Sequence, residues 1–280
     1  MAHRISIGGL LAAGLAFVTC GDSLALSPAR FADTRSGATV VDLELVLAVD
    51  VSYSMDPEEQ ALQREGYVQA LTSKEFLSAL REGVNGKIAI TYVEWAGAND
   101  QKVVLPWRLI DGPEAAGAVA DEIQRTPPRR ASRTSIASGI LFAKSLFDSG
   151  GYRGLRRVID VSGDGANNAG PLIVPSRDEV LNAGITINGL PIMLNRSSGF
   201  MDIANLDVYY EDCVIGGAGA FVVPIRERSQ FIDATRKKLI LEVAGREPEP
   251  RLIPASADKP RISCTIGEQM WRDRWGGYDR

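Results

Sequence analysis

The stretch Thr39-Val40-Val41-Asp42-Leu43-Glu44-Leu45-Val46-Leu47-Ala48-Val49, running into Asp50-Val51-Ser52-Tyr53-Ser54, decides the fold. It opens with alternating apolar and polar residues and becomes continuously apolar, as a central strand covered on both faces must be. Asp50 ends the apolar run. Asp56-Pro57-Glu58-Glu59 then supplies an N-cap, a proline at the first helical position and acidic residues against the helix dipole. Apolar spacing through Leu62, Tyr67 and Leu71 predicts a helix, which Phe76 to Leu80 continues or restarts before Gly83 and Gly86 end it.

Downstream, strands and helices alternate. Lys87 to Trp95 and Gln101 to Ile110 read as strands joined by Gly97-Ala98-Asn99-Asp100, a link so short that it makes an antiparallel pair. Asp111-Gly112-Pro113 opens a helix to about Arg125, the prolines of Thr126-Pro127-Pro128-Arg129-Arg130 make a loop, and Ser135 to Phe147 is an amphipathic helix. Arg156 to Val161 is a strand leading into Ser162-Gly163-Asp164-Gly165-Ala166-Asn167-Asn168. Helix Ser176 to Ala183, strands Ile185 to Leu190 and Ala220 to Pro224, and a closing helix Glu227 to Val243 follow. This alternation predicts an α/β fold over residues 39–243: a doubly wound, mostly parallel sheet with one antiparallel edge strand and helices on both faces. Gly216-Gly217-Ala218-Gly219 precedes a strand instead of following one, so it misses the dinucleotide fingerprint and reads as a flexible loop. Residues 244–280, rich in proline and charge, are expected to form an irregular tail packed on the domain, with Trp271 and Trp275 either packing it there, the commoner role of such aromatics, or forming an exposed binding patch.

The chain has 280 residues, 45% hydrophobic and 24% charged, which suits one large domain with its own core. Disordered, collagen-like and disulfide-dense classes are excluded. A net charge of −4 gives no global attraction for nucleic acid, and the one basic stretch, Arg125 to Arg133, is short. Residues 1–25 read as a signal peptide: Arg4, then the apolar Ile7 to Val18, then Ser23-Leu24-Ala25 with small residues ahead of a cut. The apolar run is too short for a comfortable membrane span, and a signal peptide implies export. Cys20 is an alternative lipid attachment point, against which stands Thr19 where Gly, Ala or Ser is expected. Cleavage after Ala25 would remove His3, the only histidine, and with it any Ser-His-Asp relay or His-ligated zinc. It would leave Cys213 and Cys264, which in an exported chain most simply form one disulfide.

Three polar clusters fall beyond the carboxyl ends of the strands, where open parallel sheets bind ligands. Asp50, Ser52 and Ser54 follow the first strand, Thr134 enters a helix, and Asp164 leaves a central strand. Two carboxylates, three hydroxyls and water make an all-oxygen set suited to Mg²⁺ or Mn²⁺ and unsuited to zinc or copper. Singly, each cluster has a plainer reading: Asp50 and Ser52 as caps of the helix near Asp56, and the Asp164 loop as an ordinary turn. Glu94 and Asp160, inside apolar strands, are expected to have hydrogen-bond partners.

Asp-x-Ser-x-Ser after the first strand, a Thr at the head of a later helix and Asp-Gly after the fourth strand resemble the metal-ion-dependent adhesion site of von Willebrand factor type A (vWA) domains. The match runs roughly from Val40 to Val243. The resemblance implies a Rossmann-like vWA fold and makes Asp50, Ser52, Ser54, Thr134 and Asp164 the metal residues, with the three hydroxyls as direct ligands and the carboxylates acting directly or through water. One departure is the Arg/Pro-rich loop before Thr134, where a glycine often precedes the threonine.

The function so implied is an exported protein-binding module whose Mg²⁺ (or Mn²⁺) engages an Asp or Glu carboxylate of a partner protein, without a catalytic group. Two alternatives stay open. One is a Mg²⁺-dependent phosphoester hydrolase with Asp50 as nucleophile, although such enzymes want a second carboxylate where Ser52 stands. The other is a structural envelope protein with a vestigial metal site. Arg125, Arg129, Arg130 and Arg133 are either a solvated loop or a guide for an acidic partner.

Overall fold

A computed structural model describes residues 37–194, 203–245 and 260–275. The expected signal peptide with Cys20, residues 246–259 of the tail and the side chain of Trp275 lie outside the described residues.

Strand β1 (Thr39–Asp50) is the middle of a five-stranded sheet of order β3-β2-β1-β4-β5, with β2 at Ile88–Trp95, β3 at Gln101–Ile110, β4 at Tyr152–Gly163 and β5 at Thr186–Pro191. All neighbours are parallel except β2 and β3, which form the antiparallel pair that the four-residue link dictates. The change in β1 from alternating to continuous apolarity has a direct cause. Leu43, Leu45, Leu47 and Val49 enter the core on one face of the sheet, while Val46 and Ala48 enter a second core on the other.

The first core is closed by α1 (Pro57–Leu71), α2 (Lys74–Glu82), α3 (Pro113–Arg125) and α7 (Phe231–Ala244). The second is closed by α4 (Ile136–Leu146), α5 (Ile173–Asn182) and α6 (Leu206–Tyr209), the last of which widens into a π-helical turn at Tyr210–Val214. At about 25 cal/mol per Å² of apolar surface removed from water, this two-sided burial does most to hold the sheet and its helices together.

Three expectations need correction. Ala220 to Pro224 is not a strand: it makes only isolated bridges beside β5, Gly189 with Val222 and Ile192 with Ile225. Val223 N–H donates to the Gly189 carbonyl and Ile225 N–H to the Pro191 carbonyl, but Pro191 has no N–H to return to Val223, so the ladder is interrupted there. The glycine loop ahead of it is pinned, because Gly216 and Ile187 exchange backbone hydrogen bonds at 2.8 and 3.2 Å. Finally, the tail is not wholly irregular: α8 (Ile266–Trp275) is a helix, fastened beside its start by the Cys213–Cys264 disulfide with Cα atoms 5.4 Å apart. Closing a loop of 51 residues is worth about 4 kcal/mol by chain entropy. None of the helices among the described residues is long and apolar enough to cross a membrane.

Candidate metal centre

The carboxyl ends of β1 and β4 deliver two acidic loops to one edge of the sheet, and the loop before α4 arrives between them. Val51 is held to β2 by its N–H on the Trp95 carbonyl at 2.9 Å, and Ala131 donates its N–H to the Val51 carbonyl at 2.9 Å. A bridge between Ser52 and Ala131 completes this seam. The Ser135 N–H, donating to the Ala96 carbonyl at 2.7 Å, fixes the start of α4. Each loop is therefore registered by backbone bonds to a rigid strand.

Four of the five sequence-predicted residues form one polar run. Ser52 N–H donates to Asp50 Oδ1 at 2.7 Å, the Ser52 and Ser54 hydroxyls are 2.8 Å apart, and Ser54 Oγ donates to Asp164 Oδ1 at 2.6 Å. The fifth, Thr134, is buried beside the Asp164 loop: its Oγ1 lies 3.9 Å from where a Cβ on Gly165 would stand. The capping alternative for Asp50 and Ser52 fails on geometry. Asp56 caps α1, accepting from Glu59 N–H at 2.8 Å while the Glu59 side chain returns to Asp56 N–H at 2.9 Å.

Asp50 is fully buried, and burial pushes its pKa up to about 7 against hydrogen bonds from Ser52 and the Asp164 backbone. Its Oδ2 is buried without a hydrogen-bond partner. A buried carboxylate oxygen in that state is costly to ionise unless a cation shares its charge. The donor set also fits a hard divalent ion: hydroxyl and carboxylate oxygens only, from three loops. Among the described residues there is no cluster of three or more His, Cys, Asp or Glu, so a cation here would depend on the hydroxyls.

Several supporting residues had no clear signal in the sequence. Asn168 Oδ1 accepts the Thr134 N–H at 3.0 Å, and Asn167 Oδ1 accepts the Ala137 N–H at 3.1 Å in the first turn of α4. Gln63 of α1 reaches the buried Ser162 hydroxyl at 2.6 Å. Tyr210, from the π-helical turn, and Asp50 Oδ2 crowd Gly163 so closely that a Cβ there would lie 3.0 and 2.8 Å from them. Arg133 has a left-handed backbone, φ 75°, directly before Thr134. A glycine adopts that conformation without cost, whereas an arginine pays about 1–2 kcal/mol. The only hint in sequence for the two amide residues was their place after Asp164-Gly165.

Glu94 and Asp160 have the partners expected of buried carboxylates and stand outside the polar run. Glu94 pairs with Arg129 at 2.8 Å and Arg64 at 3.4 Å; Asp160 pairs with Lys238 at 2.5 Å.

Residues 40–247 match the family model described as "Protein of unknown function (DUF1194)". No curated protein matches the chain. Among solved structures, proximal thread matrix protein 1 from the mussel byssus is similar at 15% identity and a TM-score of 0.55, covering 74% of this chain and 49% of that one. The same mussel protein with a zinc-occupied MIDAS motif (the metal-ion-dependent adhesion site) is similar at 16% identity and a TM-score of 0.52, again covering 74% and 49%. The pilus adhesin SpaC from Lactobacillus rhamnosus GG is similar at 11% identity and a TM-score of 0.54, covering 75% of this chain and 31% of that one. The present chain thus spans about half the length of the mussel protein and about a third of the adhesin. The fold is of the vWA type, as the sequence resemblance implied.

Proposed function

The chain belongs to the DUF1194 family, and we propose that it is an exported protein-interaction module, periplasmic or secreted, whose sheet edge holds Mg²⁺ or Mn²⁺ to engage a carboxylate of a partner protein. The observation that carries this reading is the polar run Asp50, Ser52, Ser54, Asp164, with Thr134 alongside and the buried Asp50 Oδ2 lacking a hydrogen-bond partner. In this reading Ser52, Ser54 and Thr134 supply hydroxyl oxygens, and Asp50 and Asp164 supply the negative charge. The cation would present an electrophilic position to an incoming Asp or Glu side chain. The zinc-occupied MIDAS motif of the mussel protein is in keeping with a divalent cation on this type of fold. The hydrolase alternative is disfavoured by the burial of Asp50, which keeps it from an ester phosphorus, and by the hydroxyl of Ser52 where a general acid is wanted.

Titration calorimetry of Mg²⁺ and Mn²⁺ into the chelator-treated protein tests the proposal, alongside Asp50→Ala and Thr134→Ala. Saturable binding to the parent protein, lost in both variants, is the expected result. Binding that survives in both variants would overturn the site. No binding to the parent protein, even with acidic peptide added, would overturn the metal-dependent function.

A further inference from the structure

We propose that Arg130 and Arg133 form a basic rim beside the candidate metal centre that selects an acidic segment of a partner protein, carrying further carboxylates beside the one at the metal. The inference rests on the metal-centred reading for the position of that first carboxylate. Its own support lies in the four arginines between residues 125 and 133, which the structure separates into two kinds.

Arg129 is spent internally, with Glu94 at 2.8 Å and Asp100 at 2.7 Å, and Arg125 has Asp121 at 4.0 Å. Arg130 and Arg133 are exposed, and among the described residues neither has a carboxylate in ion-pair contact. Each is instead propped on an aromatic face. The Arg130 guanidinium stands 5.4 Å from the ring centre of Tyr53 and also donates to the Tyr53 carbonyl. The Arg133 guanidinium stands 3.5 Å from the ring centre of Trp271. Stacking on an aromatic ring limits the wandering of an arginine side chain and leaves the edge of its donor fork available for a carboxylate.

Position makes these two cations relevant to the same ligand. Tyr53 lies between Ser52 and Ser54 and is 60% exposed, while Arg133 immediately precedes Thr134. The rim therefore follows the loops that carry the metal residues, on a protein whose net charge is −4. Two cations without ion-pair partners beside the metal residues are complementary to an acidic segment. The tail builds part of the rim: α8 presents Trp271, and Glu268 of α8 accepts from Asn167 Nδ2 at 2.8 Å. Gly267 packs against the Asn167 carbonyl, where a Cβ would come within 2.1 Å. The left-handed backbone of Arg133 is thereby accounted for as the conformation that lays its side chain on Trp271.

The test uses fluorescein-labelled hexaglutamate as probe and hexaglutamine as control, read by anisotropy with the full chain in Mg²⁺. Arg133→Gly suits the left-handed backbone and removes the cation together with its stacking on Trp271; Arg130→Gln removes the other charge. Hexaglutamate is expected to bind in preference to hexaglutamine, and the double variant to weaken it by about tenfold, with Mg²⁺ affinity by calorimetry unchanged. Trp271→Ala is expected to give part of the loss, because the Arg133 side chain is then unpropped. Equal hexaglutamate affinity in the parent protein and the double variant would overturn the rim, as would failure of the parent protein to distinguish the two peptides. Binding that needs the arginines but survives chelation would overturn the metal-centred function while supporting the rim.

Discussion

Thr134 and Asn168 hold each other across two loops: the Thr134 N–H donates to Asn168 Oδ1 at 3.0 Å, and the Asn168 N–H donates to the Thr134 carbonyl at 2.9 Å. The clasp ties the loop before α4 to the loop after β4, so it sets the distance between Thr134 and Asp164. Asn168→Ala removes the acceptor and leaves the buried Thr134 N–H unsatisfied, at a cost of about 1–3 kcal/mol. We expect that loss in urea unfolding, with weaker Mg²⁺ binding by calorimetry. Asn168→Asp keeps an acceptor and should retain most of both. Undiminished Mg²⁺ affinity in Asn168→Ala would mean that Thr134 finds its place without the clasp.

Gly163 sits where Asp50 and Tyr210 leave no room for a side chain. A Cβ there would lie 2.8 Å from Asp50 Oδ2 and 3.0 Å from the Tyr210 hydroxyl oxygen. Both atoms belong to fully buried groups with packed surroundings, so relief must come from movement of Asp50. Gly163→Ala should therefore cost about 1–3 kcal/mol as overpacking and lower Mn²⁺ affinity by about tenfold or more, measured by electron paramagnetic resonance of bound against free Mn²⁺. A stability loss with unchanged Mn²⁺ affinity would place Asp50 outside the metal centre.

These two positions also mark where sequence reading ends. The parallel sheet was legible because β1 changes its burial pattern along its length, and the hairpin because its link is short. Asp50, Ser52, Ser54 and Asp164 were legible because they end apolar strands, so the fold carries them to one edge. Asn168 was hidden by its partner's separation of 34 residues, and Gln63 by one of 99. No local pattern encodes such contacts. Helix α8 escaped notice for a related reason: Gln269-Met270-Trp271-Arg272-Asp273-Arg274 has no apolar stripe, and what holds it is tertiary, the Cys213–Cys264 link and the seat of Gly267 on Asn167. Ala220 to Pro224 was overread because β-branched and aromatic residues favour strands, while the ladder it would join is broken from the other side, by Pro191 of β5.

Lys238 crosses from α7 to meet Asp160 of β4 at 2.5 Å and Glu242 at 2.8 Å, with all three side chains 1% exposed. Glu242 is further held by Asn188 Nδ2 at 2.7 Å. Burial raises the Asp160 pKa to about 6, while the Lys238 charge pulls it down; Lys238 itself is raised by its two acidic neighbours despite its burial. Lys238→Met would leave two carboxyls buried without their cation, and we expect a loss of about 3–5 kcal/mol in urea unfolding. Adding Asp160→Asn to Lys238→Met should recover part of the loss, because one of the stranded acids is then neutral. Equal stability of the single and double variants would show that Asp160 takes up a proton once Lys238 is gone.

Asp42, at the opposite end of β1 from the candidate centre, gives a pH signature of its own. Burial alone would raise its pKa, but hydrogen bonds donated by the Asn85 backbone and side chain, and by the Lys87 and Gly86 backbone, hold it below the ordinary carboxylate value. Two of these bonds, from Asn85 N and Asn85 Nδ2 to Oδ1, are each 2.8 Å long. They tie the start of β1 to the turn ahead of β2. A depressed folded pKa means that the unfolded chain takes up the proton first as pH falls. The stabilisation is therefore complete above the ordinary Asp value of about 3.9 and is lost as pH drops through it toward the lower folded value. Asp42→Asn should then be less stable than the parent protein by about 1 kcal/mol at pH 7, a figure kept small for partial solvent screening. Urea midpoints for the two proteins should begin to converge as pH falls below about 4 and meet once pH has passed below the depressed folded value, where the carboxyl is neutral in both states. A gap that stayed constant down to pH 3 would show that Asp42 acts through its shape and not through its charge.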